Sequence, residues 1–333
     1  MKLLLTSLLL VVTQAFAFSS LQTQPRALQV RPTTTNAVAD RSGTLHLRAL
    51  NPAGIDAEQF AAAFRYNLRK DRLSTTYKAT SIAYALYALQ NIRVHSSLPY
   101  GSLLASGHGL AAGLAYILSK AASKDHLFLF TSKRYNLALL GYGACQLAVT
   151  AIAGRVPGGP LLLLGPLLAT ISSIQGYSIG VRGWEYEKPA GSIVIDVKKS
   201  ASQAISSMLK VPKTTQSLGY MGATLLLVAL KLDKLKKICE IILSNNDVGA
   251  SLLVPLARFA RLAIFSAVAY TLKDGADRGL LDSPNFILLN LLSAASFGAL
   301  ASYVGATTAV GGLAALFSVF SGVNGLISVL KSE

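Results

Sequence analysis

Eight apolar runs separated by short basic loops fill residues 79–330 and leave few folds open to this chain. They lie at about 79–92, 98–118, 135–154, 157–181, 217–231, 249–271, 285–305 and 307–330. A helix crossing a hydrocarbon core of about 30 Å needs about twenty predominantly apolar residues. Six of the runs reach that length. The first and fifth are too short unless the flanking Lys78, Arg93, Lys231 and Lys234 snorkel toward the membrane surface. The pattern predicts an all-α polytopic membrane protein with about eight transmembrane helices, within a range of six to eight.

Composition agrees. Charged residues make up 14% of the chain and apolar residues 52%, with a mean hydropathy of +0.48, where soluble domains carry about 25% charged residues. The net charge of +16 is not a nucleic-acid signal here. The Lys and Arg stand in loops between apolar runs, where they report membrane orientation. The expected partner is the lipid bilayer, with no nucleic acid. Cys145 lies in an apolar run and Cys239 on a Lys-rich segment, with no Cys-x-x-Cys pair, so no disulfide or metal framework is expected. Neither Gly-x-x-x-x-Gly-Lys-Ser/Thr nor His-Glu-x-x-His occurs. The chain is therefore read as no enzyme, holding no metal and no obligatory cofactor.

Residues 1–50 read as an address. Lys2 precedes the apolar stretch 3–12, and Ala15-Phe16-Ala17 offers a small-x-small cleavage pattern, which puts the cut between Ala17 and Phe18. Residues 18–50 then carry Arg26, Arg31, Arg41 and Arg48 among Ser, Thr, Gln and Ala, with Asp40 as their one acid. A signal peptide (1–17) joined directly to a transit-like segment (18–50) resembles the bipartite plastid-targeting presequence of diatoms and other heterokont-type algae. That resemblance implies a plastid membrane, envelope or thylakoid, reached through the secretory pathway. The alternative is the endomembrane system. The mature region resembles no family.

The rest divides into a basic amphipathic lead-in (51–78), a first membrane half (79–181), a polar linker (182–216) and a second membrane half (217–330). In the linker, Val197, Ala201, Ala204, Ile205 and Met208 share a helical face flanked by Lys198, Lys199 and Lys210, the pattern of an interfacial helix. At a constant shift of 149 residues, 101–181 can be laid on 250–330. Lys124-Asp125 then meets Lys273-Asp274, and Ser172 and Gly176 meet Ser321 and Gly325. The expectation is two tandem four-helix repeats, as recur in transporters. Eight crossings gather most Lys and Arg on one side, which the positive-inside rule assigns to the stroma together with both termini.

Few residues stand out as carriers of chemistry. Arg258 and Arg261 lie three apart within an apolar run, on one helical face. Such residues normally face a bundle interior or a water-filled cavity, where an Arg pair would hold an anionic group; the alternative is snorkelling from a shallower helix. His108, between Gly107 and Gly109, is a candidate ligand for a flat macrocycle, against the commoner role of a helix–helix hydrogen bond. Trp184 and Tyr186 fit an interfacial aromatic anchor. Gly109-x-x-x-Gly113 and other small-residue faces suit close helix packing with a second copy or a membrane partner. Two functions follow. One is a transporter or channel for a small, anionic solute. The other is a non-catalytic scaffold, assembly factor or membrane-shaping protein.

Overall fold

The computed structural model describes residues 57–94, 99–153, 163–184, 188–208, 210–244, 248–305 and 307–332. The presequence with its Ala17–Phe18 junction, and Tyr186, lie outside the described residues. Among those described, all regular structure is helical: α1 (Ala57–Val94), α2 (Pro99–Ser123), α3 (Phe130–Ala153), α4 (Leu164–Arg182), α5 (Gly191–Met208), α6 (Thr215–Leu243), α7 (Val248–Asp277), α8 (Pro284–Val304) and α9 (Ala309–Ser332).

Among the described residues, four helices are long and apolar enough to cross a membrane, namely α3, α7, α8 and α9. The chain is a helical membrane protein. Residues 102–119 of α2 carry no charged side chain, and Ser172, Ser173 and Gln175 dilute α4. Lys and Arg line parts of α1 and α6. Two expected boundaries vanish. No Gly or Pro interrupts 57–94, so α1 runs unbroken through both the lead-in and the first apolar run. Likewise, α6 joins the fifth apolar run to the Lys-rich segment that follows it.

Helix α7 forms the centre, with 67% of its apolar window buried against 28–39% for the other three candidate spans. It packs against α6 and α3, and meets α2. Helix α2 packs against α1 and α8; α3 pairs with α4 and α8 with α9; α1 touches α4 and α6 touches α9. The α2–α3 and α7–α8 turns close alike. His126 N donates to Ala121 O (2.8 Å) and Leu280 N to Gly275 O (2.9 Å). Asp125 (φ 58°) and Gly279 (φ 67°) supply the left-handed residue that this helix ending requires.

Two buried tyrosines pin helices together. The Tyr77 hydroxyl of α1 donates to Asn136 Oδ1 of α3 and lies 2.9 Å from Ser172 O of α4. The Tyr220 hydroxyl of α6 donates to Asn290 Oδ1 of α8 and accepts from Asn324 Nδ2 of α9 at 3.1 Å. Gly176 is needed beside the first pin, because a Cβ there would collide with the Tyr77 hydroxyl. Outward faces are apolar at helical spacing, with Ile82, Leu86 and Leu89 exposed on α1 and Leu167, Ile171 and Ile174 on α4. These are the faces a bilayer covers.

Candidate functional site

Helices α2 and α7 approach each other at Gly107 and Arg261, in the interior of the bundle. Arg261 is 7% exposed. A Cβ on Gly107 would stand 3.1 Å from Arg261 Cγ and 2.8 Å from the Tyr142 hydroxyl, so the arginine stem occupies the space that glycine leaves. The Tyr142 hydroxyl is hydrogen-bonded to Arg261. It also lies 3.1 Å from His108 Nδ1. Gln146 Nε2 approaches the same nitrogen at 3.2 Å, and Tyr84 donates to Gln146 Oε1 at 2.9 Å. With Gln146 as donor, Nδ1 of His108 is an acceptor. Three rings surround the imidazole: Tyr84 stacked on it at 5.7 Å, with Tyr87 and Tyr142 edge-on at 5.7 and 5.9 Å.

Two sequence candidates thus meet through one tyrosine, since Arg261 and His108 share Tyr142. The surroundings of His108 are protein rings and a glutamine amide, the helix–helix bonding role. A flat cofactor on that imidazole would have to displace Tyr84. Arg258 separates from its expected twin. Its Nη2 donates to the Tyr303 hydroxyl at 3.0 Å, and Tyr303 is the penultimate residue of α8. Arg258 is half-buried beside the end of α8, while Arg261, one turn along α7, is enclosed. Sequence reasoning missed Tyr84, Tyr87, Tyr142 and Gln146. Their signal was the three- and four-residue spacing that puts each pair on one helical face.

A second polar centre joins α3 to α7 at the opposite end. The Arg134 guanidinium lies between the Phe130 ring (3.6 Å) and the Tyr270 ring (4.3 Å). It donates to the Tyr270 hydroxyl at 3.0 Å and faces Asp274 at 3.5 Å. Arg278 reaches the same carboxylate at 3.1 Å. Next to it, Lys273 pairs with Asp277 at 2.7 Å, its side chain 2% exposed. Trp184 packs edge-on against Tyr66 at 5.5 Å and accepts from Arg69 Nη1 through its carbonyl at 3.2 Å. It therefore docks the end of α4 onto the start of α1. Burial and the adjoining Asp125 carboxylate hold the Tyr66 phenol well above its ordinary pKa.

One motif escaped sequence inspection. Gly176-Tyr177-Ser178-Ile179-Gly180 has the Gly-x-Ser-x-Gly spacing of hydrolase nucleophile elbows. Such an elbow needs a sharp strand-to-helix turn, whereas these five residues lie inside α4. Both glycines have packing reasons, Gly176 beside Tyr77 and Gly180 beside the Leu127 carbonyl. No group of three or more His, Cys, Asp or Glu that could hold a metal exists among the described residues. Comparison with protein-family models, with curated proteins and with solved structures finds no match in any of the three.

Proposed function

We propose that this chain is an eight-span membrane protein of a secondary plastid whose two related halves meet at Arg261, and that Arg261 is the anion-binding position of a small-solute transporter in a closed state. The carrying observation is the burial of Arg261 where α2 and α7 approach each other. Intramembrane guanidinium groups are costly and are kept where they act on a substrate or an ion. Transporter sites also lie where two repeats meet near the bilayer midplane. No Asp or Glu occurs in α7 between Val248 and Lys273, so the helix itself brings no carboxylate to Arg261.

Support for related halves comes from the two tyrosine pins. Tyr220 follows Tyr77 by 143 residues, Asn290 follows Asn136 by 154, and Gly325 follows Gly176 by 149. On that reading, correspondence runs helix by helix with loop-length changes between, in place of one constant shift of 149. Gly107 and Arg261 are then counterparts, 154 residues apart. Matching helix pairings favour the same scheme: α1–α2 with α6–α7, α3–α4 with α8–α9, and α3–α7 with α8–α2.

A non-catalytic scaffold is the second reading, favoured by the close packing of the interior. Arg261 fills the space beside Gly107, and the Tyr77 hydroxyl fills that beside Gly176. Reconstitution into proteoliposomes separates the two. For a transporter, at least one small anion among inorganic phosphate and short mono- and dicarboxylates enters faster than in protein-free vesicles, and Arg261→Ala abolishes that flux. Folded protein that moves none of them leaves the scaffold. For the address, residues 1–50 fused to a fluorescent protein should report the plastid, and retention in the endoplasmic reticulum would reject it.

A further inference from the structure

Helix α5 joins the two four-helix sets, and both of its ends are tied to the same end of the bundle. Before it, Arg182 Nε at the close of α4 donates to Lys188 O at 2.7 Å. After it, Lys213 N donates to Asp277 Oδ1 at the close of α7 at 3.1 Å. A helix of 18 residues is about 27 Å long at 1.5 Å per residue. With both ends held at one level, it runs along the side of the bundle, in the plane of the membrane surface.

Its depth is set by Asp196. That carboxylate accepts from Tyr177 of α4 at 3.0 Å and pairs with Lys133 of α3 at 2.9 Å. Tyr177 lies five residues before the end of α4, and Lys133 three residues after the start of α3. The helix is therefore drawn beside the bundle about one turn inside its rim. At that depth Val194 and Ile195 are 58% and 68% exposed, and Lys198 and Lys199, one turn further along, are exposed too. Apolar side chains at the rim of the hydrocarbon with lysines beside them are what an interfacial helix presents to lipid.

We infer that α5 is a docking surface for anionic lipid headgroups of the leaflet at this end. Val194 and Ile195 enter the boundary between acyl chains and headgroups, and Lys198 and Lys199 hold the headgroup charge. Charge complementarity identifies the occupant. Exposed Arg69, Arg72, Lys124, Lys188, Lys210 and Lys213 outnumber the exposed Asp71 and Asp282 at the same end, and the Asp196 carboxylate is already committed to Lys133.

The test uses the full chain with Cys145→Ala and Cys239→Ala, and Ile195→Cys carrying an environment-sensitive fluorophore. It is placed in nanodiscs of phosphatidylcholine alone or mixed with phosphatidylglycerol. The expected result is a severalfold loss of quenching by neutral acrylamide when phosphatidylglycerol is present. Each surface lysine contributes about fivefold to such partitioning, so Lys198→Glu with Lys199→Glu should remove the difference, and high salt should weaken it. Helicity and Trp184 emission report that the variant is folded. A position-195 probe that stays water-exposed in both lipids overturns the inference. So does a probe buried equally in both, or a double Glu variant that still responds to phosphatidylglycerol.

Discussion

The contact between Gly107 and Arg261 can be weighed with two alanines on one helix. In Gly107→Ala the new Cβ would lie 2.8 Å from the Tyr142 hydroxyl and 3.1 Å from Arg261 Cγ, while a Cβ on Gly109 would meet nothing within 4 Å. Both substitutions gain the same helix propensity, about 0.8–1 kcal/mol. Subtracting one from the other therefore leaves the collision alone, which overpacking data put at about 1–3 kcal/mol. Gly109→Ala should be neutral to stabilising, and Gly107→Ala should fall below it by that difference. The assay is equilibrium unfolding of the purified chain in mixed micelles, followed through Trp184. Repeating Gly107→Ala in an Arg261→Ala background removes one of the two obstructing side chains, so the cost should shrink and a non-additive term of about 0.5–3 kcal/mol should appear. Equal stability of the two alanine variants would refute the placement of Arg261 against Gly107. Strict additivity in the double variant would refute it as well.

Three further outcomes are expected. Tyr77→Phe and Asn136→Ala should each cost about 1 kcal/mol and couple with one another, as should Tyr220→Phe and Asn290→Ala, because interhelical hydrogen bonds in membranes are worth about 0.6 and at most about 1.7 kcal/mol; double-mutant cycles measure this. Arg134→Ala leaves Asp274 with Arg278 alone and strips a cation from two rings, so its unfolding free energy should drop by more than about 2 kcal/mol, with Asp274→Asn partly compensating in the double variant. Ser178 should resist fluorophosphonate labelling, and Ser178→Ala should leave stability within about 0.5 kcal/mol, since the motif around it is helical.

Sequence reading located the central helices closely. The runs at 249–271, 285–305 and 307–330 became α7, α8 and α9 within a few residues of their ends, because about twenty apolar residues in a row have few other uses. It cut α1 and α6 short for an equally physical reason. Hydropathy separates apolar from polar, so it divided the amphipathic lead-in holding Arg69 and Lys70 from the apolar run that continues the same helix. The His108–Tyr142–Arg261 cluster was legible as three residues but not as a group. His108 and Arg261 stand 153 positions apart, and their meeting depends on which helices pack together. The constant shift of 149 laid Ser172 and Gly176 on Ser321 and Gly325. It placed Asn136 opposite Asn285, an exposed residue, whereas the hydrogen-bonded partner of Tyr220 is Asn290. On the two-half reading proposed above, a gapless alignment has no means of registering turns of unequal length.

The described ion pairs are distributed unevenly along the bundle. Those joining separate elements, Lys70–Asp125, Lys133–Asp196, Arg134–Asp274 and Lys331–Asp282, all sit where α1 begins and α7 ends. Away from that end, the described pairs fall inside α6 itself. The molecule is thus clasped like a fan at its handle. Away from the handle the helices are joined by apolar contacts, the His108–Tyr142–Arg261 cluster and the Arg258–Tyr303 hydrogen bond. On the transporter reading proposed above, the tip side is the end where such a bundle would part, with the ion-paired handle as its pivot.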